Sequence, residues 1–235
     1  MTASIRFVTT TRAGGVSAAP FDTFNLGDHV GDDPAAVAAN RSRLAAEVGL
    51  GADRVVWMNQ VHSDHVEFVT EPRDRAFDHT DALVTTTPRL ALAVVTADCV
   101  PVLMSDPVAG VIAAAHAGRV GARNGIVVRT LEAMVAAGAH VGDVSVVLGP
   151  AVSGRNYEVP AEMADDVEAA LPGSRTVTAK GTPGLDLRAG IARQLMDAGV
   201  AAVEIDPRCT VDDTTLFSHR RDAPTGRLAC LVWIE

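Results

Sequence analysis

The chain has 235 residues, 48% of them apolar, and a formal net charge of −9. That apolar content is enough for a sizeable core, and the acidic balance argues against a nucleic-acid-binding surface. Three cysteines (Cys99, Cys209, Cys230) without a C-x-x-C argue against a zinc ribbon and against a secreted disulfide framework. No apolar run is long enough to span a bilayer, and no basic segment is followed by an apolar one. A cytoplasmic protein with no membrane or nucleic-acid partner is therefore expected.

Residues 5–9 alternate in polarity and predict a strand. Residues 10–27, TTRAGGVSAAPFDTFNLG, carry little periodicity, and irregular segments of that length are often functional. Arg12, Asn25 and His29 lie in or beside this segment. Asp33 and Pro34 then start a helix as N-cap and first residue, and it runs to about Val48 with Gly49 as its stop. Arg41 falls on the apolar stripe of Val37, Leu44 and Val48, with Asn40 close by. A charge on a buried stripe is costly unless it is paired, so Arg41 either snorkels to water or holds an anionic group.

Residues 54–58 and 66–70 predict strands, and between them runs Asn59-Gln60-Val61-His62-Ser63-Asp64-His65. Two histidines three apart in such a connection cannot both point one way without a bend. Asp81 opens a further strand, residues 81–85, either as a carboxylate supporting a site or as a turn residue. Next come two apolar strands around Asp106-Pro107-Val108-Ala109-Gly110, which carries turn chemistry. With the turn centred between Pro107 and Val108, Cys99 faces His116 across the pair. A thiolate and an imidazole so placed can share a metal ion, or one can deprotonate the other. A register slip of one residue would break this facing.

Residues 117–125 are glycine-rich and carry Arg119 and Arg123 ahead of a helix ending near Ala137, an arrangement that favours an anion. Strands at 144–148, 203–206 and 228–234 and helices at 160–171 and 186–198 complete the reading. Interleaved strands and helices with hairpins predict one α/β domain over residues 1–235 with mixed sheets.

Several motifs occur in order along nearly the whole chain: GGVS…PF…NLG (residues 14–27), NR..L (40–44), NQVH (59–62), TADCVPVL (96–103), AAAHAG (113–118), LGPA (148–151), CT (209–210) and FSHRRD…TGR (217–227). With them the chain resembles the YfiH-like family, named for a multicopper polyphenol oxidase or laccase domain. The resemblance implies an α/β layered sandwich with mixed β-sheets, and a zinc site with His62, Cys99 and His116 as ligands. It also implies purine-nucleoside chemistry with phosphate as co-substrate: nucleoside and methylthioadenosine phosphorolysis, with adenosine deamination alongside. Some relatives have been assigned instead to polyphenol oxidation, with copper, or to peptidoglycan-precursor editing. Where the family usually reads HAGWRG, this chain reads HAGRVG over residues 116–121, so the aromatic is gone and the arginine has moved by one position.

Two imidazoles and one thiolate leave a fourth tetrahedral position open, as in catalytic zinc sites. Zinc brings the pKa of bound water to ~7, and such a nucleophile is suited to attack C6 of adenine. The usual zinc-deaminase signature is absent from this chain. Phosphorolysis needs cationic and N–H donors, for which Arg41, Arg12 and the helix start after Gly121 are candidates. Asp98 is expected to orient a ligand and joins Cys99 and His116 as a catalytic candidate, while Asn25 and Gln60 join Arg41 as substrate-binding candidates. A copper oxidase is the first rival, since two histidines and a cysteine also suit blue copper, but seven histidines with no H-x-H fall short of a laccase relay. A metal-free hydrolase with Cys99 as nucleophile and His116 as base, and a nucleotide-binding sensor without turnover, are the others.

Overall fold

In the computed structural model, which describes residues 2–235, the chain runs β1 (Ile5–Thr9), α1 (Pro34–Glu47), β2 (Val55–Val56), β3 (Val66–Phe68), β4 (Ala82–Thr85), β5 (Ala91–Thr96), β6 (Val100–Asp106), β7 (Val111–Ala117), α2 (Arg119–Arg123) and α3 (Ile126–Ala136). It continues through β8 (Ser145–Leu148), α4 (Ala161–Ala170), β9 (Arg175–Val177), β10 (Pro183–Leu185), α5 (Leu187–Asp197), β11 (Ala202–Ile205), α6 (His219–Asp222) and β12 (Leu228–Ile234). A six-stranded sheet has the order β11-β8-β6-β7-β4-β3, a four-stranded sheet the order β1-β12-β5-β2, and β9 pairs with β10. Both larger sheets are mixed, as expected: β3–β4, β8–β11 and β2–β5 are parallel and the other pairs antiparallel.

Period-2 alternation in the long strands sets the layers. On β5, Leu92 and Val94 pack with Leu83, Leu103 and Ile112 of the other sheet. Ala91, Ala93 and Val95 point the opposite way, against Leu44 and Ala45 of α1 and against Trp57. On β6 and β7, Val102, Met104, Ala113 and Ala115 face Ile126, Leu131 and Ile191 of the helices on the far side. The order through the molecule is thus α1, four-stranded sheet, six-stranded sheet, helices. The alanines of β7 (VIAAAHA) put only methyl groups on its faces, so this central strand is buried on both sides without holding the layers apart.

Helix α1 starts and stops where the sequence places it. The Asp33 carboxylate accepts the Ala35 N–H at 3.0 Å, and Gly49 follows in a left-handed conformation at φ +72°. Arg41 does turn towards the protein, and its partners are internal. Its guanidinium lies 4.1 Å from the Trp57 ring centroid, donates Nε–H to the Leu26 carbonyl at 3.0 Å and pairs with Asp28 at 3.2 Å.

The β6–β7 register differs from expectation. Asp106 pairs with Val111 and Pro101 with His116, so the turn is centred one residue later and Cys99 lies beyond the ladder rather than opposite His116. The cause is Asp106, whose carboxylate accepts the N–H groups of Val108 and Ala109 at 2.8 and 2.9 Å and fixes a wider turn. The slip in pairing is two residues, an even number, so Cys99 and His116 remain on one face of the sheet. Two further differences are local. The strand expected at 54–58 is shortened by a 3₁₀ turn at Ala52–Arg54, and the β9–β10 hairpin was not expected in a stretch rich in Thr, Gly and Pro. No helix among the described residues is long and apolar enough to cross a membrane.

Removing the Arg41 side chain should act on stability. Its cation–π contact and hydrogen bond, with the side chain only 20% exposed, predict a loss of about 1–2 kcal/mol in Arg41→Ala. Thermal unfolding should show a Tm lower by a few degrees. An unchanged Tm would contradict this assignment.

Candidate metal centre

Side chains two apart on a strand share a face, and this rule assembles the site. The face that carries Leu83, Leu103, Ile112 and Ala114 into the layer between the sheets continues, two residues on, to Asp81, to Cys99 (past Pro101) and to His116. The start of β4, the end of β7 and the start of β6 are neighbours at one sheet edge, so the three groups meet there. His62 arrives from the connection between β2 and β3. The expected bend is present: His62 has φ +61°, and its ring joins the cluster while His65 turns outward to Glu67 at 2.9 Å.

Cys99 Sγ lies 3.8 Å from His62 Nε2, the rings of His62 and His116 meet edge to face with centroids 4.7 Å apart, and the three ligand atoms all fall within 4.8 Å of one another. Tetrahedral zinc, with bonds of ~2.0–2.3 Å, needs these donors roughly 3.3–3.6 Å apart, so a contraction of at most about 1.5 Å completes the set. Gly118 provides the room. A Cβ on it would lie 2.5 Å from His62 Cδ2 and 3.1 Å from Cys99 Sγ. The donor set, its spacing and this gap fit a metal ion, and no other group of three such side chains occurs among the described residues.

Asp81 organises the ligands. Its carboxylate accepts Nδ1–H of His116 at 2.8 Å, the N–H groups of Val61, His62 and Ser63 at 3.1, 3.0 and 2.7 Å, and the Ser63 hydroxyl at 2.7 Å. His116 Nε2 is thereby left free towards Cys99. Burial alone would raise the Asp81 pKa, but the His116 and Ser63 contacts outweigh it and hold it at about 2. Burial likewise opposes ionisation of Cys99 and His116, and their mutual attraction overrides it, bringing the thiol down to about 6 and the imidazole up to about 9. Both shifts run towards the charged forms, a thiolate beside an imidazolium.

A cavity of about 300 Å³ opens above the cluster. Val95, Val152 and Leu187 contribute apolar wall, and Gln60, Asp98, Arg119, Tyr157, Arg220 and Arg227 contribute polar groups. Gln60 closes on β5 as a backbone segment would, its amide donating to and accepting from Val95 at 2.8 Å each way. Asp98, at φ +93°, accepts hydrogen bonds from the hydroxyls of Thr210 and Ser218 and from the Arg220 N–H at 2.6, 2.7 and 2.6 Å. Its carboxylate therefore holds the C-terminal segment, and the carboxylate that orients a ligand ring is Asp81.

Three sequence candidates do not line this cavity. Arg41 is stacked on Trp57. Arg12 lies over Phe217 and pairs with Asp22 and Asp222. Asn25 is fully buried: its amide nitrogen donates to the Gly27 carbonyl and to Asp32, and its oxygen accepts the N–H groups of Gly27 and Arg227. Asn25 thus reaches the cavity only through Arg227. Sequence reasoning missed Tyr157, Arg220 and Arg227 as cavity residues. The last two lie in the FSHRRD…TGR motif, whereas nothing local marks Tyr157, the chain's single tyrosine. In the HAGRVG stretch Arg119 lines the cavity and Val120 is exposed.

A family model described as multi-copper polyphenol oxidoreductase laccase matches residues 6–235. The chain belongs to this family. It is 75% identical over 231 residues to a purine nucleoside phosphorylase of Mycobacterium tuberculosis, covering 98% of this chain and 92% of that one. It is 59% identical to a purine nucleoside phosphorylase of Corynebacterium glutamicum, covering 98% and 94%. Among solved structures, YlmD from Geobacillus stearothermophilus superposes with a TM-score of 0.93 at 33% identity, over 98% of this chain and 92% of that one. The Bacillus licheniformis protein YfiH gives 0.91 at 31% identity, over 98% and 93%.

Two predictions follow from the ligand geometry. Asparagine at position 81 would present N–H₂ or a neutral oxygen to the ring, removing the fixed Nδ1–H tautomer that leaves Nε2 free. Asp81→Asn should therefore weaken metal binding by roughly 10–100-fold, measured by competition with a chromophoric chelator. The native pKa of about 2 lies below the usual carboxylate value, so Asp81 stabilises the fold above pH ~4, and this contribution is lost as the pH falls towards ~2. In Asp81→Asn that part of the acid limb should be missing. Secondly, a metal ion bound by Cys99 and His116 must displace the proton that the pair shares. Titrating zinc into metal-free protein near neutral pH should release about one proton per ion, read with a pH indicator in weak buffer; no release would contradict ligation by both Cys99 and His116.

Proposed function

We propose that this chain is a purine nucleoside phosphorylase acting with zinc held by His62, Cys99 and His116, with adenosine deamination and methylthioadenosine phosphorolysis as companion activities of the same cavity. The observation that carries the reading is the convergence of two imidazoles and a thiolate at a cavity of about 300 Å³ whose remaining cations are arginines. That volume is at the lower bound of the usual range for small-molecule sites. The names of the M. tuberculosis and C. glutamicum relatives support it.

Zinc, when bound, supplies a localised positive charge that polarises an oxygen brought to it. The protein's own groups do the rest. Asp81 keeps His116 in the tautomer that donates from Nδ1. Gln60 and Asp98 fix the backbone of two cavity walls. In phosphorolysis a phosphate oxygen forms a bond to ribose C1′ as the bond from C1′ to the purine nitrogen breaks. The electron pair leaves with the purine, which takes up a proton.

The one His–Cys–His cluster among the described residues argues against a multicopper relay, which needs several linked centres; a single copper would still suit the same donors. All three cysteines are free, which suits a reducing, cytoplasmic setting for a single domain over residues 1–235.

The test is product analysis on metal-quantified protein. Adenosine with phosphate should give adenine and ribose 1-phosphate. Without phosphate, inosine should be the product, and removal of zinc should abolish both. Stoichiometric copper with strong visible absorption and oxidation of polyphenols would overturn the reading.

A further inference from the structure

We infer that Arg119 and Arg220 form the oxyanion subsite of the cavity, where inorganic phosphate is held beside the nucleoside. This rests on the phosphorolytic reading above and names the residues that would serve it.

The argument starts from charge. The chain carries a net −9, and ten of its nineteen arginines are ion-paired to a carboxylate, among them Arg12, Arg41, Arg123, Arg129, Arg175, Arg193, Arg208 and Arg221 with an aspartate. The cavity breaks this pattern. Arg119, Arg220 and Arg227 line it with one carboxylate, Asp98, whose oxygens are already engaged by Thr210, Ser218 and the Arg220 N–H. Arg119 is half-buried and Arg220 exposed, and neither is ion-paired to a carboxylate among the described residues, so both guanidinium groups can turn to a ligand that brings negative charge.

The three arginines are not equivalent. Arg227 donates Nη1–H to the carbonyls of Thr225 and Gly226, and it stands in the field of Cys99 and Asp98. Arg119 forms no ion pair among the described residues, and Arg220 uses its Nη1 on the Glu158 carbonyl at 3.2 Å, leaving its other N–H groups. Both border Tyr157. Arg220 lies 5.1 Å from the ring centroid, and Arg119 lines the same cavity, its charge opposing the burial that raises the Tyr157 pKa. Two guanidinium groups lining one cavity, neither ion-paired among the described residues, match a phosphate, which takes several parallel N–H···O bonds. The same chemistry would accept the phosphate of a nucleotide, so the test separates the two sources.

Inorganic phosphate binding is measured by calorimetry on zinc-loaded protein, and adenosine phosphorolysis is measured with phosphate varied, for the wild type, Arg119→Gln, Arg220→Gln and Arg119→Lys. Each glutamine variant should raise the dissociation constant and KM for phosphate roughly 10-fold or more, with KM for adenosine changed much less and zinc content unchanged. Arg119→Lys should recover part of the loss. Unaltered phosphate binding in both glutamine variants would overturn the subsite. Weakened binding of adenosine monophosphate with inorganic phosphate unaffected would overturn it in favour of a nucleotide site. Wild-type protein that binds phosphate through these arginines yet forms no ribose 1-phosphate would uphold the subsite and reject the phosphorolytic reading.

Discussion

A single buried carboxylate holds the two histidines of the candidate metal centre in register. Asp81 accepts the His116 ring N–H on one side and three successive backbone N–H groups, of Val61, His62 and Ser63, on the other. Its own carbonyl accepts the His116 backbone N–H at 2.7 Å, so ring and main chain of His116 are fixed by one residue. A fully buried charge is tolerable only when its lone pairs are engaged, and the Ser63 hydroxyl completes that set. The consequence is mechanical. The His62 connection has no strand of its own at the ligand, and it takes its position from β4 through Asp81.

Other buried polar residues tie distant parts of the chain to the same end of the sandwich. Asp98 joins the turn before β6 to Thr210 and Ser218, more than a hundred residues away. Its left-handed backbone, uncommon outside glycine but most accessible to Asp and Asn, turns the chain between β5 and β6 and delivers Cys99. Asn25 joins the irregular N-terminal segment to Arg227, and Gly27 leaves space that the Arg227 side chain fills: a Cβ there would lie 2.6 Å from Arg227 Cγ. Asn40 gathers the same segment from α1, donating to the carbonyls of Thr23 and Asn25 and accepting the Val16 N–H. A stretch with no periodicity is thus ordered by side-chain amides in place of a strand ladder.

What was legible in the sequence had a local cause. Alternation marked β1, a buried apolar run marked β8, the turn at Gly226 led into β12, the Asp33–Pro34 start marked α1, and the spacing of His62 and His65 demanded the bend that His62 makes. Cys99 and His116 were paired through a register that is wrong by two residues, and the face survived because side chains repeat every second residue. Arg41 was legible as an inward charge, but its partners were not, because Trp57 and Asp28 reach it through tertiary packing. For the same reason Tyr157, Arg220 and Arg227 were missed, since nothing in their neighbours in sequence shows that the β8–α4 connection, α6 and the segment after it line the cavity above Cys99. The β9–β10 hairpin carries turn-rich composition in place of an apolar alternation, and the separate pairing of these short strands follows from contacts with Tyr157 and Glu158.

The departure at residues 116–121 acquires a physical meaning in this frame. His116 ends the buried face of β7, Gly118 leaves the gap in which His62 and Cys99 approach each other, and Arg119 enters the cavity at the first residue of α2. One turn of chain therefore supplies a candidate ligand, a space and a cation. Moving the arginine by one position along a helix rotates its direction by about 100°. At position 119 the side chain lines the cavity, whereas position 120 points to solvent and holds an exposed valine. The charge of this turn is thus directed inward, into a cavity whose one carboxylate is already engaged, and its effect on any bound anion is strengthened by the apolar walls of Val95, Val152 and Leu187 around it.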